Sequence, residues 1–480
     1  MTISHCLPFP VHHSIPRKVN VTMTENIENI QTDKTNQLNF YNTLLKLAIP
    51  IIIQNLIASS INMIDTIMIG KIGETEIAAV GIANQYFFLF NLLVIGITSG
   101  AGVFISQYWG QKNEEYIQKT LGLSLIASII SSILFTIVAL LVPKTIIKLF
   151  NKDPYVIDMG VQYLKIICTS YIFTAISFAY GVSSRCIEDT IPPMIVSAIA
   201  LVTNATLNYV FIFGHLGFPA MGVRGAAIAT LIARVVEAAS MVLYIYAKKG
   251  VLAAKWRKMV DINKSFIQRA ARTIIPVVTN DIFWALAMII YAIAYGSLGT
   301  QAMAAIQITT TVQNVSMVFT FGLAHSAAVM IGHQVGAGNI EEGQVFSRRF
   351  LKLSVIIGIL TGIILALSTP TILSFFNISE EVYISTLRIL YIVSATIFMK
   401  FTTAVIIVGI LRGGGDTGYA LKIETLTMWG VGVPLVFLGS FILKLPVEAV
   451  VLMVTLEEVT KMTFSVKRLR SSDWIRRVVN

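Results

Sequence analysis

Asp65 lies in one apolar run of the chain, Asn204 and Asn208 in another, and Thr230 in a third. Four residues is about one helical turn, so the two asparagines share a helix face. Asn62, three residues before Asp65, lies on the same face as the acid. One carboxylate among neutral oxygens is a ligand set for a hard monovalent cation such as Na⁺. The same carboxylate, withdrawn from water, is alternatively a proton carrier. A second set comprises Asn280, Asp281 and Lys400. Asp281 and Lys400 lie at similar depths from the inner ends of their runs, which permits an ion pair between them; the three residues are the candidate substrate or polar site of the second lobe. Glu424 lies nearer the inner surface. Arg234 with Glu237, and Glu457 with Lys461, have the i,i+3 and i,i+4 spacings at which a pair neutralises itself.

Other chemistry is excluded by what the sequence lacks. Gly413-Gly414-Gly415 has neither the preceding strand nor the Lys-Ser/Thr of a phosphate loop, so it reads as a tight turn. No Walker motif, HExxH or nucleophile elbow occurs, so the chain is not expected to be an enzyme or to use ATP. Cys6, Cys168 and Cys186 form no CxxC pair, and no disulfide framework or cysteine metal site is indicated. No organic cofactor is expected; the only inorganic partner is the coupling ion, Na⁺ or H⁺.

The elements that hold these residues follow from composition. Of 480 residues, 55% are apolar and only 13% charged, with mean hydropathy +0.76. A soluble domain carries about 25% charged residues, so the chain belongs in a bilayer. A helix needs about 20 apolar residues to cross it. Twelve such runs are expected, near residues 44–70, 77–107, 118–142, 155–182, 190–213, 222–247, 272–296, 303–333, 349–373, 383–411, 417–441 and 446–466. Most of the 36 Lys and Arg fall on the inner side if both termini are cytoplasmic, so the net charge of +11 marks topology rather than nucleic acid. The densest basic stretch is Lys248, Lys249, Lys255, Arg257, Lys258, Lys264, Arg269 and Arg272; Lys467, Arg468, Arg470, Arg476 and Arg477 add a basic tail. The expected organisation is an unstructured cytoplasmic segment (1–40), a first lobe (41–247), a basic linker (248–271), a second lobe (272–466) and a basic tail (467–480). His5, His12 and His13 belong to the first segment, whose true start is Met1 or Met23.

The chain also repeats itself at an offset of about 226 residues. Pro50 falls on Pro276, Gly70 on Gly296, Gly73 on Gly299, Gly96 on Gly322, and Gly110, Asn113 and Glu115 on Gly336, Asn339 and Glu341. After a one-residue slip, Arg185-x-x-x-Asp189-Thr190 falls on Arg412-x-x-x-Asp416-Thr417. Six spans per unit is an even number, so both halves enter the membrane from the same side and are related by an axis along its normal. Two facing bundles suit a carrier better than a pore. The expected fold is therefore all-α, with twelve transmembrane helices in two parallel six-helix repeats.

These residues resemble the multidrug and toxic compound extrusion (MATE) family of secondary antiporters. The resemblance is carried by Ile64-Asp65-Thr66-Ile67-Met68-Ile69-Gly70, by the Asn-rich fifth span through Gly222–Thr230, by Gly409–Thr417, and by the duplication. It implies a V-shaped pair of lobes in a bacterial-type inner membrane. It also implies exchange of Na⁺ or H⁺ for amphipathic, often cationic, compounds, with Asp65, Asn204, Asn208 and Thr230 at the coupling site. Asn208 stands where some members have a second aspartate, and Phe401, beside Lys400, where some have an acid; Asp281 is the better second-lobe candidate. A monomer is expected. The rival reading is a flippase for lipid-linked oligosaccharides or cell-wall precursors, for which Lys400, Arg234 and Arg388 are the available phosphate-binding cations.

Overall fold

In the computed structural model the described residues are 18–376 and 378–479, with side chains from Leu38 onward. The chain divides into two compact units at Leu45/Lys46, and the contacts below lie within the second. The long helices are α1 (Lys18–Gly70), α2 (Glu74–Gly110), α3 (Glu114–Leu141), α4 (Pro154–Cys186), α5 (Ile191–Phe213) and α6 (Gly222–Lys248) in the first repeat. The second repeat has α7 (Lys264–Gly296), α8 (Thr300–Ala337), α9 (Ile340–Leu373), α10 (Glu380–Leu411), α11 (Thr417–Ile442) and α12 (Val447–Arg470). Among the described residues, 11 helices are long and apolar enough to cross a membrane. The remaining long helix, α12, has 24 residues but carries Glu448, Glu457, Glu458 and Lys461.

Three expectations about organisation change. The amino-terminal segment expected to lack structure is helical from Lys18; residues 1–17, with Cys6 and the three histidines, lie outside the described residues. The linker contains a short helix, Trp256–Val260, and α7 begins at Lys264, inside the stretch read as linker. The last helix, α12, runs on to Arg470, inside the stretch read as the basic tail, and Trp474 is buried.

Each repeat has its own core. Phe90 stacks on Tyr171 at 4.5 Å between ring centroids in the first, within a cluster that includes Val94, Leu164 and Ala227. Tyr291, Ile389, Phe401 and Val436 centre the second. The repeats meet along α2, α7 and α8, where glycines let backbones approach closely. A side chain at Gly96 would strike Val278 on α7, and one at Gly322 would strike Ile52 on α1. Likewise Gly110 lies against the backbone of His333, and Gly336 against that of Gln107. Each contact is the image of its partner under the repeat offset, since 96/278 maps onto 322/52 and 110/333 onto 336/107. This reciprocity is the mark of a two-fold relation, here within one chain. The Gly110 and Gly336 contacts lie at the end of the bundle that also carries the 248–271 linker, where Gln118 of α3 donates to the Val251 carbonyl.

Candidate functional site

α5 opens with Ile191-Pro192-Pro193, where proline's missing N–H costs nothing. It stops at Gly214, whose φ of 77° is a left-handed cap. α6 then returns alongside it, and Gly225 makes that return close: a side chain there would meet the Phe211 carbonyl. In this register Thr230 lies opposite Asn204. α1 runs parallel to α5, held by Gln54, which donates to Ser197 Oγ at 3.1 Å. Eleven residues further along both helices, the Asn208 amide donates to Asp65 Oδ1.

The four predicted residues of the first lobe therefore meet. Asn208 Nδ2 also donates to Asn204 Oδ1 at 3.2 Å, and Asn204 Nδ2 donates to Thr230 Oγ1 at 3.2 Å. Both amides are buried, and each of the three hydrogen bonds runs from an amide N–H to an oxygen acceptor. Asn208 Oδ1 is left without a partner. A buried acceptor beside a carboxylate is a place for a proton or a small cation. Among the described residues no group of three or more His, Cys, Asp or Glu could hold a metal ion, so Na⁺ here would rest on one carboxylate and neutral oxygens. Asn62 is exposed and takes no part. Arg234, one turn beyond Thr230, is bound to Glu237 at 2.7 Å, as its spacing predicted.

In the second lobe the Asp281–Lys400 pair that depth and charge permit does not form. Asp281 is bound by Arg412 at 2.6 Å, and Lys400 donates to Gln313 Oε1 at 3.3 Å. Position along a helix leaves the direction of each side chain around its axis undetermined. The repeat supplies what depth could not. Arg185 donates to Gln54 at 2.8 Å in the first lobe, and Arg412 with Asp281 occupies nearly the same place in the second.

The polar centre of the second lobe is a cluster that sequence reasoning had split into separate pairs. Lys461 Nζ lies 2.7 Å from Glu457, 3.7 Å from Glu458 and 3.9 Å from Glu424. The Tyr291 hydroxyl donates to Glu457 at 2.6 Å, and Asn280 Nδ2 donates to Glu424 at 3.3 Å. Asn280 Oδ1 has no partner. Under the repeat offset with its slip, Tyr291 stands at the place of Asp65, Glu457 at that of Thr230, and Lys461 at that of Arg234. The acid has changed helix between the lobes. Its surroundings are also irregular: α11 contains π-helical turns at Met428–Gly432 and Leu438–Ile442, and α10 one at Val405–Leu411. The described residues of the first repeat have none.

At the linker end, His333 of α8 reaches across to the first lobe. Its Nδ1 is 3.0 Å from Glu188 Oε1 and its Nε2 is 2.8 Å from the Cys186 carbonyl. Both partners are acceptors, so both bonds form only with the doubly protonated ring. Glu188 lies outside the spans, and the hydrogen bond from His333 holds its carboxyl below the ordinary 4.5. A lowered carboxyl contributes stability above its ordinary value and loses it as pH falls through the lowered one. Glu188→Gln should therefore lower the melting temperature at pH 6, with the deficit fading at more acid pH. Since the Glu188 side chain is 38% exposed, the contribution is about 1 kcal/mol. A deficit that persists unchanged into acid would remove the clasp from the stability balance.

Comparison with known proteins reproduces this layout. The MatE family model matches residues 50–210 and, separately, 276–438, one match per repeat. "Probable multidrug resistance protein NorM" of Thermotoga maritima is 27% identical over 402 residues, covering 82% of this chain and 84% of that protein. "Probable multidrug resistance protein YoeA" of Bacillus subtilis is 25% identical over 428 residues, covering 88% and 92%. A multidrug resistance MATE family transporter of the MOP superfamily, solved in an outward-facing conformation, superposes with TM-score 0.81 at 17% identity, covering 90% of this chain and 96% of that one. That last likeness is one of fold.

Proposed function

This chain belongs to the MatE family, a family of multi-pass membrane transporters, and on that premise we propose that it is a secondary antiporter. It exports amphipathic, cationic organic compounds in exchange for Na⁺ or H⁺, as a monomer, by alternating access. It sits in a bacterial-type cytoplasmic membrane with its linker end inside. The observation that carries this reading is Asp65: a carboxylate within the membrane-spanning part of the first lobe, hydrogen-bonded by an amide whose own oxygen has no donor. Such a group is charge-neutral only while it holds an ion, and a buried unpaired charge is costly. The relatives named as multidrug resistance proteins support the choice of cargo.

The chain's own residues then do the following. Facing outward, Asp65 takes the ion, and Asn208 Oδ1 accepts from a protonated carboxyl or joins the oxygens around Na⁺. Neutralised, the first lobe no longer holds a cationic substrate, which leaves. Facing inward, the ion departs and the carboxylate attracts the next cation. The glycine contacts of α2 with α7 and α8 close the inner end in the structure described above, and opening that end requires those backbones to part.

The flippase reading is disfavoured by the cations it needs. Arg234 is bound to Glu237 and Arg388 to Glu448, leaving Lys400. The deciding experiment is export of a fluorescent cationic dye from proteoliposomes with Na⁺ and pH gradients imposed separately. One gradient should drive dye against its concentration. Dye flux that ignores both gradients would exclude antiport.

A further inference from the structure

The contacts that close the linker end follow the repeat, except in one place. His333 and Gln107 are repeat equivalents, and so are Cys186 and Gly413. His333 Nε2 binds the Cys186 carbonyl at 2.8 Å, and Gln107 Nε2 donates to the Gly413 carbonyl at 3.3 Å. The turns that follow also match, with φ of 65° at Glu188 and 86° at Gly415. Symmetry breaks at the next atom. Glu188 fills its side of the seam with a carboxylate on His333, whereas Gly415 has no side chain to offer Gln107.

The space is occupied by the carboxy-terminal segment. Ile475 makes an antiparallel bridge with Gly415, and the Arg476 N–H donates to the Gly414 carbonyl at 2.6 Å. Trp474, 1% exposed, lies against Gly414, where a side chain would strike its ring. Asp416, fully buried, takes Arg476 of the segment at 3.2 Å, beside Arg468 of α12 at 2.8 Å. Arg477 donates to the Gly336 carbonyl at 3.2 Å. These contacts anchor the segment to the second repeat. Two others reach the first: Gln107 Nε2 donates to the Arg476 carbonyl at 3.3 Å, and the Val478 N–H donates to Gln107 Oε1 at 2.9 Å.

We propose that the seam formed by Gly413–Asp416, Gly336 and Gln107 is a peptide-docking site whose ligand is residues 473–479 of this same chain, and that the docked segment holds the inner ends of the two lobes together. Recognition is by backbone hydrogen bonds to a glycine turn, a tryptophan on Gly414 and one arginine, Arg476, on a buried aspartate. The two Gln107 bonds cross between repeats, so they break when α2 parts from α8. The bias toward the closed seam should be about tenfold, the worth of two ordinary hydrogen bonds. The bias rests on the alternating-access reading; the docking does not.

The test compares the full chain with one ending at Ser472. A fluorescent peptide of residues 473–479 should bind the shortened chain saturably and the full chain not at all. Gly415→Glu in the shortened chain, which installs the residue of the other repeat, should abolish binding while the turn still forms. Equal binding to both chains, or to the Gly415→Glu variant, overturns the docking site. Spin labels at Glu114 and Glu341, exposed residues of opposite repeats, read the seam. Shortening should raise the ratio of long to short distances about tenfold, and added peptide should reverse it. Two distances at an unchanged ratio overturn the bias alone. One invariant distance in both chains overturns alternating access together with the bias, while peptide binding still decides docking. Trp474→Ala in the full chain should act as the truncation does, should the shortened chain fail to fold.

Discussion

Replacing Asp65 by Asn should leave the fold intact and abolish coupling. The new amide is nearly isosteric, and its oxygen still accepts from Asn208 Nδ2. What disappears is the group that exchanges an ion. For one-for-one exchange, a tenfold ion gradient sustains about a tenfold substrate gradient, or about 1.4 kcal/mol. Vesicles containing the wild-type protein should reach that gradient, and vesicles containing Asp65→Asn should relax to none, with an unchanged melting temperature as the control. Asn204→Ala should weaken but not eliminate coupling, because it removes a support of Asn208 rather than the acid. Full accumulation by Asp65→Asn would take Asp65 out of the mechanism.

The largest stability effect should come from Lys461→Met. The ammonium is surrounded by Glu457, Glu458 and Glu424, and its removal leaves three carboxylates without a cation of their own. Removing one partner of a buried pair costs about 3–5 kcal/mol because the other charge is stranded. Glu457→Gln is the informative contrast. There Tyr291 keeps an acceptor and Lys461 keeps two carboxylates, so the loss should be well under half as large. Unfolding in detergent, followed side by side for the two variants, gives the comparison. Equal losses would mean that Lys461 serves Glu457 alone and that the cluster is not a unit.

Much of this was legible in the sequence because membrane helices impose few choices. Apolar run lengths located the spans, and the repeat required two like halves. Asp65, Asn204, Asn208 and Thr230 could be grouped because i,i+4 spacing and depth suffice when three helices converge on one acid. Depth failed for Asp281 and Lys400, because it leaves the rotation of each helix undetermined. The repeat already held the missing information: Arg185 falls on Arg412, and Gln54, the partner of Arg185, falls on Asn280, the neighbour of Asp281. Glu424 and Glu457 were separated for a similar reason, being 33 positions apart on helices whose contact no local pattern reveals. The docked tail was hidden by its charge. Its arginines read as a topology signal, and Trp474, Ile475, Val478 and Val479 were too few to form an apolar run.

The π-helical turns of α10 and α11 set the halves apart mechanically. Each accommodates one residue beyond the ordinary turn, and expelling it would swing everything further along that helix by about 100°. The amino-terminal bundle has no such slack in its described portion. An ancestral duplication has thus yielded a stiff jaw and a compliant one, and any twisting during the cycle should concentrate in the carboxy-terminal jaw, around Glu424.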